Sequence, residues 1–244
     1  MKRLIDRIVA RIAAGSISSF RRIPLRLEPD DLRNMRISFS QFGEDLVVAE
    51  HLTNFKRERR GIYIDAGCFD PFRFSNTRLL NLLGWRGINV DASEEAISKF
   101  NVHRPHDVNV CAALSDRVEV REFLLSGCSA MNRLVCSDSL TDNQSDNSRK
   151  IEVSTRTLMS IFDRSQFSGE GVDLLSIDCE GSDLAVLKGF DLGRTRPVLI
   201  CIESLNEGES KKIRSYLEEI GYSHLCDRGL SHLFRDSATL PEKQ

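Results

Sequence analysis

Residues 61–71 constrain the fold of this 244-residue chain more than any other segment. They read as a buried β-strand that runs into a glycine turn at Gly67, with an acid, Asp65, at the end of the strand. The pattern recurs in part at residues 87–91, a second apolar strand that ends in Asp91. Two parallel strands that end in acids and are joined by a helix predict a nucleoside-binding edge in a doubly wound sheet.

The glycines of the turn distinguish between nucleoside ligands. A dinucleotide site needs the spacing G-x-G-x-x-G so that backbone amides can approach a pyrophosphate. Here Gly67 has no glycine two residues later, and Pro71 removes one amide. Asp91 is placed to accept hydrogen bonds from ribose hydroxyls. The pattern therefore predicts a ligand with a ribose but no phosphate, such as S-adenosylmethionine, and predicts that NAD does not bind.

Apolar periodicity predicts an alternation of strands and helices along the chain. The predicted strands cover residues 61–66, 87–91, 108–113, 118–124, 151–155, 172–178 and 198–203. The predicted helices cover residues 41–53, 75–83, 93–101, 157–163, 182–189 and 208–220, with Ser75 and Ser93 as N-caps. A hairpin at 222–234 closes the pattern. The expected fold is α/β, a doubly wound, mostly parallel sheet with an antiparallel C-terminal edge strand.

The same pattern divides the chain into two parts. Residues 1–37 are expected to form an N-terminal helical appendage, and residues 38–244 the main domain. Apolar residues at helical spacing within residues 1–12 are interspersed with basic ones. We favour a helix packed on the domain or on a second subunit, and a helix on a membrane surface is the alternative. No apolar run reaches the roughly 20 residues of a membrane span.

Composition excludes some partners. The net charge of −2 and the scattered basic residues indicate no nucleic-acid partner. The seven cysteines include no C-x-x-C pair, which favours reduced thiols in a cytoplasmic protein over disulfides or a metal site. The oligomeric state is open.

Polar side chains follow the predicted strands at the edge where such sheets bind ligands. They are Asp65, Asp91, Ser115 with Asp116, Asp178 with Glu180, and Glu203. We assign Asp91 to the ribose, Gly67 to a close backbone approach to the methionine part, and Asp65 to the ammonium group. Asp178 and Glu180 are the candidate catalytic residues. Asp178 is either a general base or, with Glu180, a ligand of a divalent cation, and the sequence does not choose between them.

Several motifs in order resemble the FkbM family of S-adenosylmethionine-dependent methyltransferases. The resemblance spans residues 40–234 and rests on these segments: S-Q-F-G-E-D at 40–45, Y-I-D-A-G at 63–67, F-S-N-T at 74–77, G-W-R-G-I-N-V-D at 84–91, R-P at 104–105, T-R-T-L at 155–158 and L-S-I-D-C-E-G at 175–181. The family implies a class I methyltransferase (Rossmann-like) fold and methylation of a hydroxyl. It places Ser75 and Asn76 by the carboxylate end of the cofactor. Many members have glycine where this chain has Pro71.

The residues and the resemblance together give one leading hypothesis. The chain is expected to be an S-adenosylmethionine-dependent O-methyltransferase acting on a sugar hydroxyl in a glycan or glycolipid, or on a natural product. An N-methyltransferase and an inactive cofactor-binding scaffold are the alternatives. The candidate cofactor-binding set is Asp65, Ala66, Gly67, Ser75, Asn76, Asp91, Ala92, Ser115 and Asp178. The polar segment 126–148 is expected to be a lid on the acceptor side.

Overall fold

A computed structural model describes residues 29–53, 60–125, 133–134 and 149–239. The chain divides into two units, Met1–Ile37 and Ser38–Gln244. The described part of the first unit contains one short helix, α1 (Pro29–Asn34), with an exposed Arg33–Asp30 ion pair. The predicted helix within residues 1–12 and its membrane contact lie outside the described residues.

The second unit is built on a mixed sheet and a smaller companion sheet. Its strands are β1 (Ile62–Ala66), β2 (Arg86–Asp91), β3 (Val108–Cys111), β4 (Ala113–Leu114), β5 (Val120–Leu125), β6 (Arg133–Leu134), β7 (Arg149–Arg156), β8 (Leu174–Ile177), β9 (Leu199–Glu203), β10 (Tyr222–Arg228) and β11 (Ser231–Asp236). The main sheet has the order β10-β11-β9-β8-β1-β2-β3, and the companion sheet has the order β4-β7-β5-β6.

The order of the main sheet creates a switch point between β1 and β8. The chain starts at β1 in the centre, moves outward through β2 and β3, and returns to β8 and β9 on the other side. These five strands pair in parallel. Ligands of open α/β sheets bind beyond the carboxyl ends of the strands at such a point. The predicted α/β, doubly wound class is confirmed.

The antiparallel strand differs from its predicted place in one detail. β11 runs antiparallel to β9 and lies between β9 and β10, so that β10 takes the edge. β11 buries Leu233 and Phe234 completely, whereas most of β10 is at least partly exposed. The inner position of β11 gives Leu233 and Phe234 this burial, which stabilises the hairpin on the sheet.

The predicted helices occur with small shifts of their ends. They are α2 (Glu44–Thr53), α3 (Arg78–Leu82), α4 (Glu94–His103), α5 (Leu158–Asp163), α6 (Asp183–Lys188) and α7 (Glu207–Glu219). Ser93 caps α4 as predicted, since its hydroxyl accepts a bond from the Ala96 amide. The prediction that Ser75 caps α3 is wrong. That helix begins at Arg78, after Thr77, and the Ser75 hydroxyl is bonded to Arg104 instead.

Alternating side chains of the sheet pack in two separate core layers, one on each face. On one face, Ile62, Ile64 and Ala66 of β1 belong to a cluster that includes apolar residues of α5, α6 and α7. On the other face, Tyr63 packs in a cluster with residues of α2 and α3. Helices thus cover both faces of the sheet, as a parallel sheet with buried strands requires.

The companion sheet pairs the strands that were predicted at residues 118–124 and 151–155. β5 and β7 are antiparallel over six residue pairs. The segment 126–148 between them lies outside the described residues except for β6, and its role as a lid remains a prediction.

Candidate active site

A cavity of about 260 Å³ opens at the carboxyl ends of β1, β2 and β8. Five of the residues predicted for the site line it, together with aromatic and apolar residues of the surrounding loops and of the companion sheet. The predicted residues are Gly67, Asp91, Ala92, Asp178 and Glu180, and the others are Gln41, Phe69, Phe74, Val90, Ala112, Ala113, Leu114, Phe123, Leu134, Cys179 and Ser182. Half of the predicted site residues therefore line one cavity at the switch point.

Gly67 lets the turn after β1 lie against the turn after β8. Its φ of +79° is in the left-handed region, and a Cβ added there would lie 1.7 Å from the carbonyl oxygen of Asp178. Both conditions exclude a side chain. In return the Asp178 amide donates to the Ala66 carbonyl at 2.9 Å, which fixes the two strand ends side by side.

The turn after β1 uses its own amides internally. The Gly67 and Cys68 amides both donate to the Val90 carbonyl, at 2.8 and 3.2 Å. The Phe69 amide donates to Oδ2 of Asp91 at 2.9 Å. Three successive amides are therefore committed to protein acceptors, so this turn does not form the amide cradle that a pyrophosphate needs.

Asp91 ends β2 at the wall of the cavity with its carboxylate held in a fixed orientation. Oδ2 accepts from the Phe69 amide, and Oδ1 accepts from the Ser93 amide at 2.7 Å. Burial raises the pKa of this carboxyl, and the two amides act against that rise. A carboxylate has about four lone-pair sites, so capacity remains for two hydroxyl donors from the cavity.

The turn after β8 is organised by an acid that sequence reasoning did not single out. The carboxylate of Asp183 accepts from the Cys179 amide at 2.7 Å and from the Gly181 amide at 2.9 Å. Burial raises its pKa to about 7. Within this turn Glu180 has a φ of +51°, a conformation that residues other than glycine rarely adopt. Asp183 thus holds a strained turn that presents Asp178 and Glu180 to the cavity.

Three carboxyl groups come together where β8 and β9 end. Oxygen atoms of Asp178, Glu180 and Glu203 all lie within 4.8 Å of one another. Burial and the nearby Glu203 raise the pKa of Asp178 well above its usual range. Burial also raises the pKa of Glu203, to about 7. Like charges this close resist joint ionisation, so a second negative charge on the Asp178–Glu203 pair is disfavoured.

Glu203 also has a buried oxygen atom that no hydrogen-bond donor of the described residues satisfies. Within the described part of the chain, its Oε2 atom is buried and has no hydrogen-bond partner. A buried acceptor without a donor is costly in a folded protein. An acceptor hydroxyl or a cation in the cavity would satisfy it.

Aromatic side chains form the wall next to Asp91. Phe69 and Phe74 both have positive φ values and stack with their ring centroids 6.3 Å apart. The Arg73 guanidinium lies 5.3 Å from each centroid, a cation–π arrangement. Phe74 is half exposed at the cavity. The chain therefore places a planar apolar surface beside the carboxylate that is predicted to bind ribose.

Arg104 supports this wall from beneath. It is almost completely buried and donates to Thr77 Oγ1 at 2.8 Å, and to Ser75 Oγ and the Pro71 carbonyl at 2.9 Å. Thr77 in turn donates to Asp65. The loop between β1 and α3, which carries Phe74, is tied to this one guanidinium.

Five predicted residues lie outside the cavity lining of the described structure. The carboxylate of Asp65 accepts from Thr77, on the face that Tyr63 shares, because side chains alternate along β1. Ser75 is buried on Arg104, and Asn76 donates to Ser176 Oγ at 3.2 Å. Ala66 and Ser115 are buried in backbone pairings, with Asp178 and Arg156 respectively. Their cofactor contacts remain predictions.

Sequence reasoning missed the aromatic wall, Gln41 and the turn acid Asp183 as parts of the site. It noted Glu203 as a strand-end acid and a fallback base but did not pair it with Asp178. The aromatic wall had a detectable signal, since Phe69 and Phe74 both follow the glycine turn closely in sequence. No sequence signal places Glu203 against Asp178, because that contact depends on the pairing of β8 with β9.

This strand order, with one antiparallel strand next to the edge and an acidic cavity at the switch point, is the architecture of class I methyltransferases. The family model described as "Methyltransferase FkbM domain" matches residues 65–223, well over half of the chain. The chain therefore belongs to the FkbM methyltransferase family, and the predicted membership is confirmed. A comparison with curated proteins finds no match. None of the helices in the described residues is long and apolar enough to span a bilayer.

Proposed function

We propose that the protein is an S-adenosylmethionine-dependent O-methyltransferase whose acceptor is a hydroxyl of a glycan, a glycolipid or a natural product. The observation that carries this proposal is the composition of one cavity. A fixed carboxylate suited to ribose, Asp91, lines one part of it, and the acid Asp178, paired with Glu203, lines another. A methyl donor and an acceptor hydroxyl would meet between them.

The choice of S-adenosylmethionine rests on the turn after β1. Its backbone amides donate to the Val90 carbonyl and the Asp91 carboxylate, and Pro71 has no amide hydrogen. Few donors therefore remain there for a phosphate group. Asp91 would hold the ribose hydroxyls, and the ring wall of Phe69 and Phe74 offers a surface for the apolar part of the nucleoside. When bound, this cofactor supplies a methyl group on a positively charged sulfur. NAD would lack its pyrophosphate site.

The choice of a hydroxyl acceptor rests on the paired acids. A hydroxyl must lose its proton as its oxygen attacks, and a positioned base contributes typically 10²–10⁴-fold to such a step. Because the two groups resist joint ionisation, the Asp178–Glu203 pair would keep one proton, and its ionised carboxylate would take up the proton of the hydroxyl. Glu180, at the same wall of the cavity, would orient the hydroxyl by accepting or sharing a hydrogen bond. A neutral amine acceptor would need this base less, which makes N-methylation the weaker alternative.

Replacing Asp91 tests the cofactor assignment. Asp91→Ala removes two charge-assisted contacts to ribose, so we expect affinity for S-adenosylmethionine to fall by about tenfold or more. Isothermal titration of the purified protein measures it. Asp116→Ala is the matched control, because that acid also follows a strand but is exposed and paired with Arg117. Equal affinities of the wild type and a folded Asp91→Ala variant would remove Asp91 from the cofactor site.

Replacing Asp178 tests the chemistry. If the pair is the base, Asp178→Asn lowers turnover by about 10²–10⁴-fold while affinity for S-adenosylmethionine changes little. The assay is methyl transfer from labelled cofactor to a panel of sugars and glycolipid extracts. Near-normal turnover of the variant would exclude the base. Loss of wild-type activity with a chelator, and its return with Mg²⁺, would instead make the three acids ligands of a cation.

We also propose a cytoplasmic location. The five cysteines of the described residues are free thiols, and Cys68 and Cys201 are buried as small apolar core residues. Free thiols are typical of a reducing compartment.

A further inference from the structure

A second cluster of titratable side chains lies on the terminal hairpin, in residues that the proposed methyl transfer does not use. His224 Nε2 lies 2.6 Å from Oδ1 of Asp227, and His232 Nδ1 lies 2.7 Å from the same oxygen. The three side chains converge on one point, with their nitrogen and oxygen atoms all within 4.8 Å of one another.

A β-bulge assembles this cluster. Asp227 pairs across the hairpin with His232, and His224 pairs with Phe234, but the register shifts between His224 and Cys226. One extra residue in β10 lets Leu225 and Cys226 both pack against the core. Side chains three apart, His224 and Asp227, therefore share one face of the hairpin, which a regular strand would not allow.

Each of the two imidazole rings also contacts a second residue that orients it. Nε2 of His232 lies 2.8 Å from the hydroxyl of Ser204, which sets the orientation of the ring. The ring of His224 stands edge-on to Phe234 with centroids 5.4 Å apart. Metal-binding histidines are typically oriented by a hydrogen bond from their other nitrogen. The His232–Ser204 contact is of this kind.

We infer that His224, Asp227 and His232 form a site for a divalent transition metal of the zinc class. Two imidazole nitrogens and one carboxylate oxygen are the donors that Zn²⁺, Cu²⁺ and Ni²⁺ prefer, whereas Mg²⁺ and Ca²⁺ prefer oxygen alone. The imidazoles are largely buried and the carboxylate is half exposed, which leaves an entry path and open coordination positions. Arg214, whose guanidinium lies 3.8 Å from Asp227, competes with the metal for that oxygen.

The metal would be structural. It would join β10 to β11. The hydrogen bond between His232 and Ser204 would also connect the site to the end of β9, next to Glu203. A metal that binds the folded hairpin more tightly than the unfolded chain stabilises the protein in proportion to its occupancy.

The test uses the full-length protein, without an affinity tag and dialysed against a chelator. Zn²⁺ is titrated by calorimetry, and Cu²⁺ is added for electron paramagnetic resonance, where coupling to ligand nitrogens counts imidazoles. We expect one equivalent of Zn²⁺ to bind, a higher thermal midpoint, and coupling to two nitrogens. His224→Gln and Asp227→Asn should each weaken binding by at least about tenfold, since even losing a partner that orients a ligand costs that much.

Two controls keep the result specific. His103→Gln removes an exposed histidine elsewhere among the five of the chain, and it should leave binding unchanged. Glu203→Gln disrupts the acidic cluster of the cavity and should also leave it unchanged. Absence of a bound equivalent of Zn²⁺, wild-type Zn²⁺ affinity in both His224→Gln and Asp227→Asn, or loss of binding only in Glu203→Gln would each overturn the proposal. Asp227→Asn keeps an acceptor for both imidazoles, so it preserves the hairpin if His224→Gln does not fold.

Discussion

Arg104 offers the sharpest test of how the site is held together. Its buried guanidinium donates to Thr77, Ser75 and the Pro71 carbonyl, and it packs over the Phe100 ring at 4.9 Å. The loop that it binds carries the aromatic wall of the cavity. We predict that Arg104→Met strongly destabilises the protein, although methionine fills much of the same apolar space.

The magnitude follows from the contacts. Three bonds of 2.8 to 2.9 Å involve a charged donor, and each such bond contributes about 1.5–3 kcal/mol, although the values are not additive. Removing one partner of a buried charged network costs about 3–5 kcal/mol. We therefore expect a loss of about 3–5 kcal/mol, a large part of the roughly 5–15 kcal/mol by which a typical protein is stable.

The loss should also depend on pH. Burial raises the pKa of Asp65, and the Arg104 charge acts against that rise. Without Arg104 the folded-state pKa of Asp65 rises further. A raised carboxyl pKa contributes stability that is present below the unfolded value, about 4, and is lost as the pH rises through the folded value. The penalty of Arg104→Met should therefore be larger at pH 8 than at pH 5.

Urea unfolding at the two pH values, followed by circular dichroism, measures both effects. Arg194→Met is the matched control, because Arg194 is exposed and pairs with Asp163 on the surface. Exposed pairs contribute about 0–1 kcal/mol. A loss from Arg104→Met no larger than that from Arg194→Met would refute the role of Arg104. A large loss that is equal at both pH values would refute its coupling to Asp65.

Two further predictions concern the cavity. Gly67→Ala should cost about 2–5 kcal/mol of unfolding free energy, because it adds a clash with the Asp178 carbonyl to left-handed strain. Gly169→Ala has a similar φ of +83° with open space around it, so urea unfolding should give it only the strain, about 1–2 kcal/mol. Turnover should rise with pH as the Asp178–Glu203 pair changes from two bound protons to one, with Glu203 near 7. Glu203→Gln leaves Asp178 without this coupled partner, so the apparent pKa of the pH–rate profile should move, and an unshifted profile would exclude the pairing.

The local features of the fold were readable from the sequence because they depend on neighbouring residues. Apolar runs predicted the strands, and a serine followed by acids predicted the start of α4 at Ser93. Gly67 was predictable as a turn, since only glycine tolerates its backbone conformation at little cost. The candidate acids at the strand ends followed from the rule that parallel strands present their carboxyl ends at one edge.

Other features depend on contacts between distant parts of the chain, and only the tertiary structure decided them. Ser75 resembles a helix cap, yet it is bonded to Arg104, which follows α4. Asp65 ends a strand like Asp91, but alternation along β1 turns its carboxylate toward Thr77. Glu203 meets Asp178 because β9 pairs with β8. A hydrogen bond or a charge acts over a few ångströms in space, and the distance along the chain does not reveal which side chains come that close.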